Sequence, residues 1–192
     1  MECRTRRLGL LTVLIALVEA TSSSAESSEG DPFKSVKVSN ALLRQLVSDG
    51  YDRSPTFRGL VSELDASGWL VFVQPGPCPA KAAIACLLHV VAKFDNAPYL
   101  RVLVDHKHRH PNNVIATLAH ELQHALEVVQ AQDVKDGAAM RALFERIGTV
   151  RARSATRIAY ETEAARRIGE VVVRELRADK ARGNGAPKNP AS

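Results

Sequence analysis

The chain has 192 residues, 45% hydrophobic and 24% charged, with 26 basic and 21 acidic side chains and a formal charge of +5. This length and balance fit one globular domain with room for a leader and a tail, and exclude a fibrous or wholly disordered chain. Residues 1–20 hold three arginines and two glutamates, so losing them leaves +4, too small a surplus to expect a nucleic-acid partner.

Arg4, Arg6 and Arg7 precede an apolar run from Leu8 to Val18, and small residues follow from Ala20 to Ala25. Basic start, short apolar middle and small-residue exit are the layout of a secretory signal peptide, here residues 1–25, cleaved after Ala20 or Ala25. The run is shorter than the roughly 20 residues needed to cross a bilayer. The expected location is therefore the periplasm or the exterior, with an uncleaved N-terminal anchor as the alternative. Once Cys3 leaves with the leader, Cys78 and Cys86 remain as an even pair, which in an oxidising compartment predicts a disulfide.

Residues 26–36, rich in Ser, Glu and Gly, read as a flexible lead-in. Ser39 then introduces an amphipathic helix carrying Leu42, Leu43, Leu46 and Val47, with Gly50 as its stop. Ser54 and Pro55 are the N-cap and first position of a second helix, whose buried stripe is Phe57, Leu60, Val61 and Leu64. The period changes at Trp69–Val73, a β-branched and aromatic run. Ile84–Val91 and Tyr99–Asp105 read as two more strands, the last after a turn at Asp95–Pro98. His89 falls inside a strand and reads as a core residue. The three strands suggest a small antiparallel meander packed on helices, an α+β domain spanning 37–178. A long helix follows from Asn112 or Asn113, another covers Ala138–Ile147, and the last is expected from Ala155 to Leu176. Residues 179–192 read as a disordered basic tail.

The chemistry sits on the long helix, in AHELQHALE. His120 and His124 are one turn apart on one face, and two imidazoles so placed can hold one zinc ion with Glu121 as base. Val114 or Ile115, Leu118, Leu122, Ala125 or Leu126, and Val129 form a separate apolar stripe, so packing does not account for the histidines. A hydrolytic zinc keeps three protein ligands and one open position. No HxxGxxH continuation follows His124, which excludes the metzincin arrangement and sends the search to TRIAYETEAARRIGEVVVREL. There Glu161 lines up with Ile158, Ala165, Ile168, Val172 and Leu176, whereas Glu163 shares a face with Arg166, Arg167 and Glu170. A carboxylate on a core-facing stripe is costly unless a cation satisfies it, which favours Glu161, with Glu163 as the alternative third ligand.

This stretch with a downstream glutamate resembles the gluzincin branch of HExxH zinc metallopeptidases over roughly Tyr99 to Leu176. The resemblance implies a zincin-like fold, one Zn2+ on His120, His124 and Glu161, and peptide hydrolysis by a zinc-activated water with Glu121 as general base. It further implies that an extended peptide substrate aligns along the 99–105 strand. Tyr160, His106, His108 and His110 are the candidate hydrogen-bond donors to the transition state. Thermolysin-like members carry Asn before the third-ligand Glu and Asp four residues after it; here these places hold Tyr160 and Ala165. The ExEA pattern also resembles small repressor-cleaving gluzincins, an alignment that favours Glu163. The competing reading is a non-catalytic zinc-bearing protein of the cell envelope. In DHKHRH the alternating histidines could share a second metal, but Lys107 and Arg109 between them argue for a polar loop.

Overall fold

The computed structural model describes residues 33–79, 83–153 and 158–184. The expected signal peptide, the expected lead-in up to residue 32, the start of the last helix expected at Ala155, and tail residues 185–192 lie outside them.

Strand β1 (Val36–Val38) leads into helices α1 (Ala41–Arg53) and α2 (Pro55–Asp65). Residues 33–36 are not a loose lead-in: Phe33 and Ser35 are buried, and the Ser35 N–H donates to Asp65 Oδ1 at 2.6 Å. Asn40 rather than Ser39 caps α1, accepting the Leu43 N–H at 3.1 Å. Gly50 does not end that helix. It lies inside it, where a Cβ would stand 2.8 Å from Ile115 Cγ2, so the glycine is there for close approach to the long helix. Ser54 caps α2 as expected, and Glu175 accepts from the Thr56 N–H and from both the Ser54 and Thr56 hydroxyls. An acid at a helix N-terminus also satisfies its dipole.

The sheet is mixed, not the expected antiparallel meander. Strands β2 (Leu70–Pro75), β3 (Ala85–Leu87), β4 (Ala92–Phe94) and β5 (Ala97–Val104) join β1 in the order β1-β2-β5-β3, with β4 also on β5. Pairs β1–β2 and β2–β5 are parallel, Leu70 opposite Tyr99 and Pro75 opposite Val104. Both β3 and β4 run antiparallel to the other side of β5. The single strand expected over Ile84–Val91 is broken because the chain bends after Leu87 and re-enters as β4. Asp95 and Asn96, both in left-handed backbone, then turn it back into β5.

In β5, Leu100, Val102 and Val104 are fully buried while the alternate residues are half-buried, so one face carries the core. The helices pack there. Helix α3 (Pro111–Gln130) lies at the centre, against α1, α2, β3, β5 and the last helix. His110 caps it, not Asn112 or Asn113, by accepting the Asn112 N–H at 3.2 Å.

After α3, Asp136 caps α4 (Gly137–Ile147), and a hairpin of β6 (Thr149–Arg153) and β7 (Ile158–Glu161) follows. Helix α5 starts only at Glu163 and runs to Asn184, so residues 179–184 are helical rather than tail. The helical spacing through Ala165, Val172 and Leu176 is real but does not extend back through Ile158. Thr162 ends it: its Oγ1 accepts the Ala165 N–H at 3.2 Å and fixes the helix start. Gly169 of α5 faces α3, where an added Cβ would make an ordinary contact 3.6 Å from His120 Cβ. Among the described residues no helix is long and apolar enough to cross a membrane.

Candidate metal centre

The 3.6-residue repeat of α3 puts His120 and His124 on the flank facing α5 and β7, with ring centroids 4.8 Å apart. Glu161, at the end of β7, completes the group: one ligand atom from each of the three residues lies within 4.8 Å of the others. The sequence argument for Glu161 placed it on a helical stripe; it is on a strand, and the hairpin carries it to the histidines instead. Glu163 is turned away. It is exposed, bonded to Arg166 at 2.6 Å, and that guanidinium holds its carboxyl below the usual range.

The Glu161 carboxylate is divided between two tasks. Its Oε2 accepts from Arg151 Nη1 at 2.6 Å, whereas Oε1 points to His120 Nε2 at 3.3 Å and is buried without a hydrogen bond. A buried, unpartnered carboxylate oxygen is costly unless a cation meets it. Two imidazoles and one carboxylate are also the donor set of three-ligand zinc sites, so these residues fit a metal.

His124 is held from behind. Its Nδ1 donates to Glu127 Oε2 at 2.9 Å, and the Thr162 hydroxyl donates to Glu127 Oε1 at 2.6 Å. This assigns the proton to Nδ1 and leaves Nε2 with the lone pair facing His120 and Glu161. Sequence reasoning missed both residues. The signal was present, since Glu127 is three positions after His124 on one helix face and Thr162 adjoins Glu161.

Glu121 is buried between α3 and β3, and its Oε2 accepts the Leu87 N–H at 2.7 Å. Burial raises its pKa to about 7, partly countered by His124. Burial, with His124 and Arg151 nearby, lowers His120 to about 4. Burial pulls His124 down as well, but Glu127, Glu121 and Glu161 together outweigh it and raise its pKa.

These groups line a cleft of about 1580 Å3 between β3, α3, α4 and the β6–β7 hairpin. Strand β5 does not offer it an edge, because β2 holds one side and β3 and β4 the other. The expected pairing of substrate with 99–105 is thus blocked. The strand at the border is β3. Leu88 N–H bonds back to Arg101 O and Asp105 N–H to Ile84 O, so the backbone of Ala85 and the carbonyl of Leu87 point the other way, toward the cleft, while the Leu87 N–H is taken by Glu121. Cys78 and Cys86 are joined as a disulfide, Cα atoms 5.9 Å apart, tying the loop before β3 to that strand.

The candidate donors fare differently. Tyr160 lines the cleft, but its hydroxyl donates to Glu145 at 2.9 Å, which commits it away from the triad. His106, His108 and His110 do not reach the cleft: His110 caps α3, His108 sits in a left-handed turn, and the segment is a loop. They form no metal group, the triad being the one such cluster among the described residues. His89 is not in a strand core. It follows β3, lines the cleft, and stacks on Phe144 with ring centroids 5.5 Å apart.

No protein-family model matches the chain, and comparison with curated proteins and with solved structures likewise returns no match.

Proposed function

We propose that the protein is an exported zinc-dependent peptidase of zincin-like design. The observation that carries this reading is the meeting of His120, His124 and an orphaned Glu161 oxygen at one point, with Glu121 beside them. Zinc at that point would supply an acidified water and a positive charge for the developing oxyanion. The chain's own residues do the rest. Glu121, poised near neutral pH by burial, takes a proton from the attacking water and returns it to the leaving amine. Glu127 keeps His124 in the ligating tautomer, and Arg151 keeps one Glu161 oxygen turned inward. An extended peptide would lie along the outward edge of β3, the border strand of the cleft. Export is supported by the leader-like residues 1–25 and by the disulfide.

Metal analysis and cleavage of a peptide library test the reading together. Glu121→Gln is expected to keep one zinc and lose cleavage, and Glu161→Ala to lose zinc while Glu163→Ala keeps it. A wild-type protein that binds zinc and cleaves nothing would leave the non-catalytic zinc-bearing alternative.

A further inference from the structure

We propose that the cleft selects peptides carrying a carboxylate, held beside the triad by Arg141 and Arg151. This rests on the reading that the cleft takes a peptide, and adds which charge that peptide bears.

Arg141 lies on α4 three residues before Phe144, so the two share a helix face. The Phe144 ring is 5.2 Å from that of His124, which places this face against the triad, and Arg141 lines the cleft. The acid best placed to neutralise it is Glu145, one turn on. Glu145 instead accepts from the Tyr160 hydroxyl at 2.9 Å, and Arg141 makes no ion pair or hydrogen bond among the described residues. Its guanidinium presents an open fork of donors matched to a carboxylate.

Arg151 approaches from the hairpin. One of its nitrogens is on Glu161 and its side chain is 70% exposed, so the rest of the fork stays open to the cleft. The cleft's acids are already engaged: Glu161 by Arg151, Glu170 by Arg166 at 2.6 Å, and Glu121 by the Leu87 N–H. Arg101 also lines the cleft, but it belongs to the face of β5 turned from the helices. A dication held by the triad would make this balance still more positive. A carboxylate is the group that such a wall attracts, and a lysine side chain the group it repels.

The carboxylate can come from a Glu or Asp side chain or from a peptide C-terminus, and the test separates these sources. Zinc-loaded Glu121→Gln protein is titrated with fluorescein-labelled alanine-rich peptides bearing a central Glu, Gln or Lys, each as free acid and as C-terminal amide. Anisotropy gives affinity without needing turnover. The Glu peptide, or the free acid over its amide, is expected to bind roughly tenfold tighter than its uncharged counterpart. Adding Arg141→Ala should erase most of that ratio, Arg141→Lys should keep part of it, and Arg141→Glu should shift preference toward the Lys peptide. No binding, a ratio near one, or a ratio unaffected by Arg141→Glu overturns the proposal. Cleavage by the wild-type protein is scored separately. Carboxylate preference without cleavage defeats the peptidase reading alone, and cleavage without preference defeats this inference alone.

Discussion

A histidine that is to bind a cation must expose one ring nitrogen as a lone pair, and for His124 that choice is made by Glu127. Because Glu127 is itself fixed by the Thr162 hydroxyl, the imidazole is oriented before any metal arrives. Glu127→Ala is therefore expected to weaken zinc binding roughly 10–100-fold, read by competition with a chromophoric chelator, with the fold retained. The same residues predict a pH signature for the metal-free protein. Burial raises Glu121 from 4.5 to about 7 and lowers His120 from 6.5 to about 4. Alone, the raised carboxyl contributes stability that is lost as pH climbs from 4.5 toward 7, and the lowered imidazole contributes stability that is gained from 4 toward 6.5. The two oppose and largely cancel in their common window. Glu121→Gln removes the first and leaves the second, since Glu121 is not among the causes of the His120 shift. Urea unfolding under chelation should find the variant gaining stability over wild type as pH rises from about 4.5 to 6.5. His124, with its raised pKa, loses its contribution only above 6.5, and loses less in the variant because Glu121 is one of the charges that raise it.

At the scale of elements, two glycines face α3, and only Gly50 sets how closely its helix approaches. A methyl at Gly50 would collide with Ile115 and Phe57, whereas one at Gly169 meets only ordinary contacts near His120. Gly50→Ala should cost about 1–3 kcal/mol through overpacking. Gly169→Ala should be neutral or stabilising by up to roughly 1 kcal/mol, the helix-propensity gain. Denaturant titration of the pair decides it. The helices were largely legible because their signals are local: Ser54–Pro55, the apolar stripe of α3, and the polar break before α4 all lie within a turn or two of what they specify. The sheet was not. Whether Val71 pairs with Leu100, and in which sense, depends on residues almost thirty positions apart. The start of α5 was readable in principle, since Thr162 before Glu163 is an N-cap followed by a first-turn acid. Helical spacing carried past it through Ile158 masked the cap, and the hairpin that delivers Glu161 went unseen.

For the whole molecule, the cleft is built from distant parts of the chain: a border strand clamped by a disulfide, a central helix, and a hairpin after it. The bridge closes a short loop, so Cys78→Ser is expected to cost about 2–3 kcal/mol in unfolding free energy. Because Leu87 of the clamped strand bonds Glu121 but no triad residue, zinc affinity should change little while peptide binding falls. Calorimetry with zinc, and anisotropy with a labelled peptide, separate the two. The α+β class and the two histidines with their glutamate could be read before any coordinates; the wall opposite them could not, because Arg141, Arg151 and Leu87 come together only in the folded chain.

The order in which these parts are synthesised has its own effect. Strand β5 lies between β2 and β3 yet is made after both, so a growing chain that stops short of Ala97 has no partner to seat the border strand. The triad waits longer still, since its last member is Glu161. A ribosome-bound chain thus carries an incomplete triad until Glu161 has been made.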